Sequence, residues 1–154
     1  LFSYASLNCF FIHAKIKNPR LFKCEVSGKS LGDNGLKEGW SSMRIIEELE
    51  LPNITLNQKI AFGIYCVKEV YKDVTWTDWA RKWLDGSDRS QKAAANAANS
   101  VAYSAYAAYA AANSGANSVA NSASKAAAYA AYAASLINVK LNFEKLIKKA
   151  IKIN

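Results

Sequence analysis

VAYSAYAAYAAANSGANSVANSASKAAAYAAYAAS, residues 101–135, is the stretch that decides the predicted fold. It carries one charge, Lys125, and contains no Leu, Ile, Phe or Met. Alanine is the strongest helix former and loses no side-chain entropy on folding, so we expect residues 91–135 to be helical. The small side chains allow helix axes to approach closely, and the tyrosine rings fill the space that alanine leaves. The tract therefore predicts an all-α protein, a multi-helix bundle.

The tract can form one long helix or two shorter ones. A single helix of roughly 45 residues would extend about 68 Å, whereas a compact chain of this size has a radius of gyration near 15 Å. Gly115 lies near the middle and is the only glycine of the tract. A turn there would fold the tract into a helical hairpin, which we favour over a single helix.

Helix signals also precede the tract. The glycines, Asp33 and Asn34 of residues 26–40 predict a loop, and Met43, Ile46 and Leu49 predict a short helix over residues 41–51. A stronger helix is expected over residues 55–72, where the sequence TLNQ has the form of a capping box. Its apolar side chains recur at spacings of three and four residues, which indicates a face directed to the core: Ile60, Ile64, Val67 and Tyr71.

Residues 75–90, TWTDWARKWLDGSDRS, predict a short helix capped by Thr75 or Thr77 and ended at Gly86, with Ser87 capping the next helix. Helical spacing places three tryptophans on one face, either as an aromatic platform for a sugar or base or as core; we favour core. Asp85, Asp88 and Arg89 suggest an acid/base set, but no histidine or second carboxylate at a suitable spacing supports it, and capping explains the aspartates. The three tryptophans are Trp76, Trp79 and Trp83.

The last segment predicts an amphipathic helix over residues 138–151. Its apolar face holds Val139, Phe143, Leu146, Ile147, Ala150 and Ile151, with lysines opposite. The simplest interpretation is the closing helix of the bundle with a solvated lysine face; the alternatives are binding to nucleic acid phosphates or to an anionic membrane. The candidate partner-binding residues are Lys145, Lys148, Lys149 and Lys152.

Composition limits the class of protein. The net charge of +8 comes from the two ends of the chain, because residues 43–90 are nearly neutral. Three cysteines cannot all pair within one chain, which favours the cytoplasm. Cys9, His13 and Cys24 could be three metal ligands, but they lack the usual CxxC or HxxxH pair and a fourth ligand, so we favour free thiols and expect no metal or cofactor.

The first residues of the chain bear on the predicted domain boundary. LFSYASLNCFFI is too short to span a bilayer and lacks the preceding basic residues of a secretion signal, so we expect no transmembrane segment. The chain begins without methionine, and its only one is Met43. We therefore expect residues 1–35 to be a poorly defined N-terminal segment, which could lie upstream of the true start, and residues 36–154 to be a single helical domain.

A resemblance adds to this interpretation. Gly39-Trp40, the helix KIAFGIYCVKEVY, then WARKWLDGSDRS, an Ala/Tyr/Asn tract and a closing amphipathic helix occur in that order over residues 36–152. The order resembles alanine-rich, all-helical proteins of bacteria and their phages, some described as immunity proteins of polymorphic toxin systems and many without an assigned function. The resemblance implies an all-α domain without catalysis that binds and neutralises a toxin.

These observations predict a protein-binding domain that is not an enzyme. The only histidine, His13, lies in the least defined region, and no nucleophile can be paired with a base. A second hypothesis is a nucleic-acid-associated protein that uses the C-terminal lysine face. A third is an ice-binding alanine-rich helix, which is disfavoured because no threonine follows Thr77 and the Asn-Ser pairs keep no regular eleven-residue period.

Overall fold

The computed structural model describes residues 2–3, 18, 20–32, 38–99, 110–111, 125–130 and 140–154. Within these ranges a three-stranded antiparallel sheet accompanies the helices, and its strand order is β1-β3-β2. The strands are β1 (Phe2–Ser3), β2 (Leu21–Gly32) and β3 (Glu38–Leu49). The helices are α1 (Leu56–Val70), α2 (Val74–Asp85), α3 (Gln91–Asn99) and α4 (Phe143–Ala150). The chain is therefore a mixed α and β protein, and the prediction of an all-α bundle is wrong.

The β2–β3 hairpin replaces both the loop predicted over residues 26–40 and the helix predicted over residues 41–51. Its register runs from Leu21 opposite Leu49 to Gly32 opposite Glu38. The spacing of Met43, Ile46 and Leu49 fits a helix, but the adjacent Ile45-Ile46 and Trp40 favour a strand. Pairing with β2 satisfies the backbone of β3, and a local pattern does not reveal that distant partner. The predicted domain boundary at 35/36 falls between the two paired strands.

Two bulges interrupt the hairpin. Between Lys23 and Cys24 the register shifts so that Ile46 is an extra residue on β3. A second shift lies on β2, where Gly28 has a φ of 85°. The hydroxyl of Ser41 accepts a hydrogen bond from the Lys29 amide at 3.0 Å and approaches the space that a Cβ on Gly28 would fill, 2.1 Å away. Glycine is thus required here for a bulge within a strand, not for the loop that its presence suggested.

The described buried core lies in the helices and not in the hairpin. Helix α1 packs against α4 and α2, and α2 packs against α3. The central side chains include Trp76 and Trp83 of α2, which are 0% and 2% exposed, and Phe62 of α1. The ring of Trp76 makes edge contacts with Tyr71 and Trp79 at centroid distances of 5.7 and 5.6 Å. Aromatic rings therefore occupy the centre of this junction.

Helix ends agree with the sequence in part. Thr55 and Gln58 form the predicted capping box, and α1 ends near the predicted residue. Gly86, in the left-handed conformation with φ 84°, ends α2 as predicted. The predicted start of α2 is wrong, because Asp73 and not Thr75 or Thr77 accepts the hydrogen bond from the first turn. A carboxylate at this position also suits the positive end of the helix dipole.

The next two helix starts also differ from prediction. The Ser90 hydroxyl accepts a hydrogen bond from the Ala93 amide, so Ser90 and not Ser87 caps α3. Helix α4 begins at Phe143 after the cap Asn142, later than the predicted residue 138. In the alanine-rich tract residues 91–99, 110–111 and 125–130 are helical. Gly115, the predicted turn, lies outside the described residues.

Candidate partner-binding surface

Helix α4 presents the predicted lysine face. Phe143, Leu146, Ile147 and Ala150 are buried on one side, and all four candidate lysines are exposed. The buried and exposed positions alternate with helical spacing, so burial of the apolar stripe fixes the direction of the lysines. We call the exposed set the α4 lysine face; it consists of Lys145, Lys148 and Lys149 on α4 and Lys152 in the turn that follows the helix.

Two sets of contacts hold α4 in place. The rings of Phe62 on α1 and Phe143 on α4 lie 6.2 Å apart between centroids. At the other end of α4 the side-chain amide of Gln58 donates hydrogen bonds to the carbonyl oxygens of Ile151 and Ile153, at 3.0 and 3.4 Å. Because Gln58 also completes the capping box of α1, one side chain joins the start of α1 to the end of α4. The lysine face is therefore carried on an anchored helix.

A second anchor reaches the residues after α4 from the loop that follows α2. Arg89 donates through Nη1 to the carbonyl oxygen of Asn154 at 2.6 Å and through Nε to that of Trp83 at 2.9 Å. Its guanidinium carbon lies 5.0 Å from the centroid of the Trp83 ring, a cation–π distance. Arg89 thus has a structural role, in contrast to the acid/base set considered from sequence.

The four lysines differ in their partners. Lys148 donates to the carboxylate of Glu144 one turn earlier, and this hydrogen bond lowers the pKa of Glu144. The Lys149 ammonium lies 5.6 Å from the centre of the Tyr65 ring on α1. Burial raises the pKa of the Tyr65 hydroxyl, so this neighbour is neutral near pH 7. Glu144 is the only acidic residue of α4, so Lys145 and Lys149 keep uncompensated charge on this helix, and Lys152 adds a positive charge in the turn that follows it.

Tyr65 is the residue of this surface that the sequence did not single out. It stands one helical turn after Ala61 and two turns after Gln58 on α1, so it continues the line of residues that faces α4. The sequence contains that spacing. The spacing does not predict which helix packs against this line of residues, because that depends on the tertiary structure.

The other predicted site residues have structural surroundings. All three α2 tryptophans are buried, so the aromatic-platform hypothesis is wrong and the core interpretation is confirmed. Asp85 and Asp88 accept hydrogen bonds from the backbone amides of Ser87 and Ser90, and these serines lower the pKa of both carboxyls. The aspartates therefore order the connection between α2 and α3, as capping predicts.

The predicted metal ligands are only partly within the structure. Cys9 and His13 lie outside the described residues, and Cys24 is a half-buried free thiol of β2. Within the described ranges no three His, Cys, Asp or Glu side chains come together as metal ligands do. Among the helices described, none is both long and apolar enough to cross a bilayer.

The chain was compared with known proteins through its sequence motifs and through its fold. The motifs that resemble alanine-rich immunity proteins begin at Gly39-Trp40 in strand β3 and continue through α1 and α2. Most of the alanine-rich tract that follows lies outside the described residues, including most of its Asn-Ser pairs. The resemblance, and the ice-binding hypothesis for the tract, stay predictions. No family model, curated protein or solved structure matches this chain.

Proposed function

We propose that this chain is a non-catalytic binding module of the cytoplasm that recognises an acidic surface of a partner protein, as a toxin-neutralising protein would. The observation that carries the proposal is the α4 lysine face. Lys145 and Lys149 on α4 and Lys152 in the turn after it are exposed, and the one acidic residue of α4 is paired with Lys148. A fixed cluster of like charge attracts an oppositely charged surface and accelerates its association.

The anchoring of α4 favours recognition by shape as well as charge. The Phe62–Phe143 contact holds the start of the helix that carries Lys145 and Lys149, and the hydrogen bonds from Gln58 to Ile151 and Ile153 hold the turn that carries Lys152. Lys149 is further oriented by the Tyr65 ring. Side chains on a rigid element lose less conformational entropy on binding than side chains on a loop, which supports a defined acidic partner.

An acidic protein fits this surface better than a nucleic acid does. Nucleic-acid recognition commonly uses arginine forks and exposed aromatic rings on which bases stack. Of the described arginines, Arg20, Arg44 and Arg81 are paired with carboxylates and Arg89 with carbonyl oxygens. The tryptophans of α2 are buried. The remaining route is phosphate binding by lysines alone, which the experiment below distinguishes.

The test compares two variants of equal net charge. One replaces Lys145, Lys149 and Lys152 with Gln, and the other replaces three exposed lysines of other elements with Gln: Lys29, Lys92 and Lys125. Each variant and the wild-type chain are used to isolate partners from the source cell, and the partner found is purified and its affinity measured. We expect an acidic protein whose dissociation constant rises on the order of tenfold or more with the α4 variant and changes little with the control.

Two results would contradict the proposal. Equal losses in the two variants would mean that net charge, and not the α4 lysine face, drives binding. Alternatively, the α4 variant could lose affinity for duplex DNA instead, with a wild-type slope of about −3 in a plot of log affinity against log salt, as expected for three phosphate contacts. That result would replace the protein partner with a nucleic acid.

A further inference from the structure

The β2–β3 hairpin has one charged face and one face that is apolar along Phe22, Cys24 and Val26 and ends in the Arg20–Glu48 ion pair. Opposite pairs on the apolar face are Cys24 with Ile45 and Val26 with Met43, and Phe22 lies on the same face of β2. On the charged face Lys23 pairs with Glu47 at 3.1 Å and Glu25 with Arg44 at 2.6 Å. Ile45 is 57% exposed and Val26 38%. None of these residues belongs to the described buried core.

The outer edge of β2 has no partner among the described strands, because β2 ends the strand order β1-β3-β2. The bulge near Lys23 places its extra residue, Ile46, on β3, so the alternation of β2 is unbroken from Leu21 to Ser27. Natural proteins usually protect such edges, because a regular unpaired strand is a template for another chain. Among the described residues nothing pairs with this edge, and its regular segment from Leu21 to Ser27 has the form that another strand can pair with.

The order of side chains along β2 is complementary to itself. If a second copy runs antiparallel with the two Cys24 residues opposite each other, Lys23 faces Glu25 of the second copy and Glu25 faces Lys23 of the second copy. On the apolar face Phe22 then meets Val26 of the second copy. We propose that β2 is the dimer interface of this protein and that a second copy of the chain pairs along it, forming one continuous sheet across the two hairpins.

The existing ion pairs strengthen this fit. Across the joined sheet one row of charges reads Glu47, Lys23, then Glu25 and Arg44 of the second copy, with signs that alternate at every step. The symmetric row has the same order. Opposite charges on neighbouring strands stabilise pairing, and like charges oppose it. A two-fold axis at Cys24 supplies both rows at once, as a self-complementary interface requires.

Strand β3 does not offer an equivalent edge. Its extra residue Ile46 breaks the alternation in the middle of the strand, and its outer side at Glu38 and Gly39 is already paired with β1. A bulge of this kind twists an edge and opposes pairing with another chain. The second bulge lies on β2 but only after Ser27, so the proposal is specific to the bulge-free segment from Leu21 to Ser27 and to the register centred on Cys24.

Charge reversal with mixing tests the interface. Lys23→Glu alone places two like-charged pairs in the dimer, and Glu25→Lys alone does the same with positive charge. Mixing the two variants restores both opposite-charge pairs, whereas the damage to pairs within each hairpin stays unchanged. We expect analytical ultracentrifugation of the full chain to give a dimer for wild type, a dissociation constant raised on the order of tenfold in each variant, and recovery in the mixture. A monomeric wild type, or a mixture that stays dissociated, overturns the proposal.

Cys24 provides a second test that leaves the charges untouched. In a Cys9→Ser background the oxidant diamide would take two electrons and two protons from the paired Cys24 thiols, which form a disulfide. Directly opposite residues in an antiparallel pair have Cα atoms about 4.5–5.5 Å apart, within the range of a disulfide. We expect a covalent dimer that Cys24→Ser abolishes.

The register has its own control. Lys29→Cys, added to the Cys9→Ser and Cys24→Ser changes, places the new thiols roughly 33 Å apart in the proposed dimer. We expect at least about tenfold less covalent dimer from this variant than from the chain that keeps Cys24. Equal cross-linking at the two positions, or none at Cys24, overturns the proposed register. This test is independent of the α4 lysine face, so it succeeds or fails separately from the proposed function.

Discussion

Replacing Gly86 with alanine should destabilise the helical core by roughly 1 kcal/mol. Gly86 ends α2 with φ 84° and ψ 1°, a left-handed conformation that costs an L-residue about 1–2 kcal/mol. A Cβ built on it would lie 3.8 Å from the Arg89 guanidinium, an ordinary contact distance, so no steric clash adds to the cost. Alanine also restricts the unfolded chain, which offsets about 0.4–1 kcal/mol. The net loss comes almost entirely from the backbone.

Urea unfolding followed by tryptophan fluorescence measures this loss. The buried indoles of Trp76, Trp79 and Trp83 lie in the helix that Gly86 ends, so they report on the affected element. For a domain of this size a loss of 1 kcal/mol corresponds to a melting temperature lower by roughly 2–4 °C. Gly86→Asn should lose less than Gly86→Ala, because asparagine tolerates the left-handed conformation better.

Gly32→Ala is the matched control. Gly32 has an ordinary φ, and no atom of the described residues lies within 4 Å of a Cβ built there. We expect its unfolding free energy to stay within about 0.5 kcal/mol of wild type. Two results would contradict this reasoning: a wild-type unfolding midpoint for Gly86→Ala, or a lower unfolding free energy for Gly86→Asn than for Gly86→Ala. Either would mean that the left-handed end of α2 does not have the energetic role assigned to it.

Three further predictions concern the other elements. Thr55→Ala should lower the unfolding free energy by about 1 kcal/mol through loss of the capping box, while Thr55→Ser should retain most of it; equal losses would exclude the cap as the cause. Gly28→Ala should accelerate hydrogen exchange of the β2 amides and not of α1, because its Cβ would collide with Ser41, and Ser41→Ala should partly reverse the effect. Hydrogen bonds from Lys82 and then Arg81 lower the pKa of Asp78, so NMR should find this carboxyl titrating below its usual 3.8, with a higher pKa in Lys82→Gln. The stability that this pairing contributes is present above pH 3.8 and is lost as the pH falls through the lower pKa of the folded state. An unshifted titration of Asp78 would contradict the pairing.

The helical part of the fold could be predicted because its signals are local. The capping box at Thr55, the stop at Gly86 and the spacing of the α2 tryptophans each involve residues within one or two helical turns. The errors at helix starts have a shared cause. Several Ser, Thr and Asp residues precede α2 and α3, and the choice of Asp73 and Ser90 as caps depends on where the chain turns.

The hairpin could not be predicted in the same way. Met43, Ile46 and Leu49 have helical spacing in the sequence, but in β3 the extra residue Ile46 places Met43 and Leu49 on opposite faces of the strand. Gly28 is a residue type that favours turns, but it lies within strand β2. Both irregularities are properties of the paired strands, so they have no signature in either strand alone.

In the candidate surface, too, the local features could be predicted from the sequence and the contacts between helices could not. The exposure of the α4 lysines follows from the spacing within α4, and the Lys148–Glu144 pair is an i, i+4 contact that a helix dictates. The contact of Lys149 with Tyr65 and the anchoring by Gln58 join residues more than 80 positions apart. Such contacts depend on the packing of α1 against α4, which helical spacing does not specify.

The packing of α1 against α4 also means that α1 stays without its partner helix for part of the time in which the chain is synthesised. About 70 residues separate the end of α1 from the start of α4, so at roughly 5–20 residues per second the ribosome needs about 4–14 s to supply the covering helix. During that interval Phe62 has no Phe143 to meet, and the Gln58 amide has no carbonyl to bind. The nascent chain thus carries an uncovered apolar stripe for seconds, which makes α1 the segment that a ribosome-associated chaperone would be expected to hold.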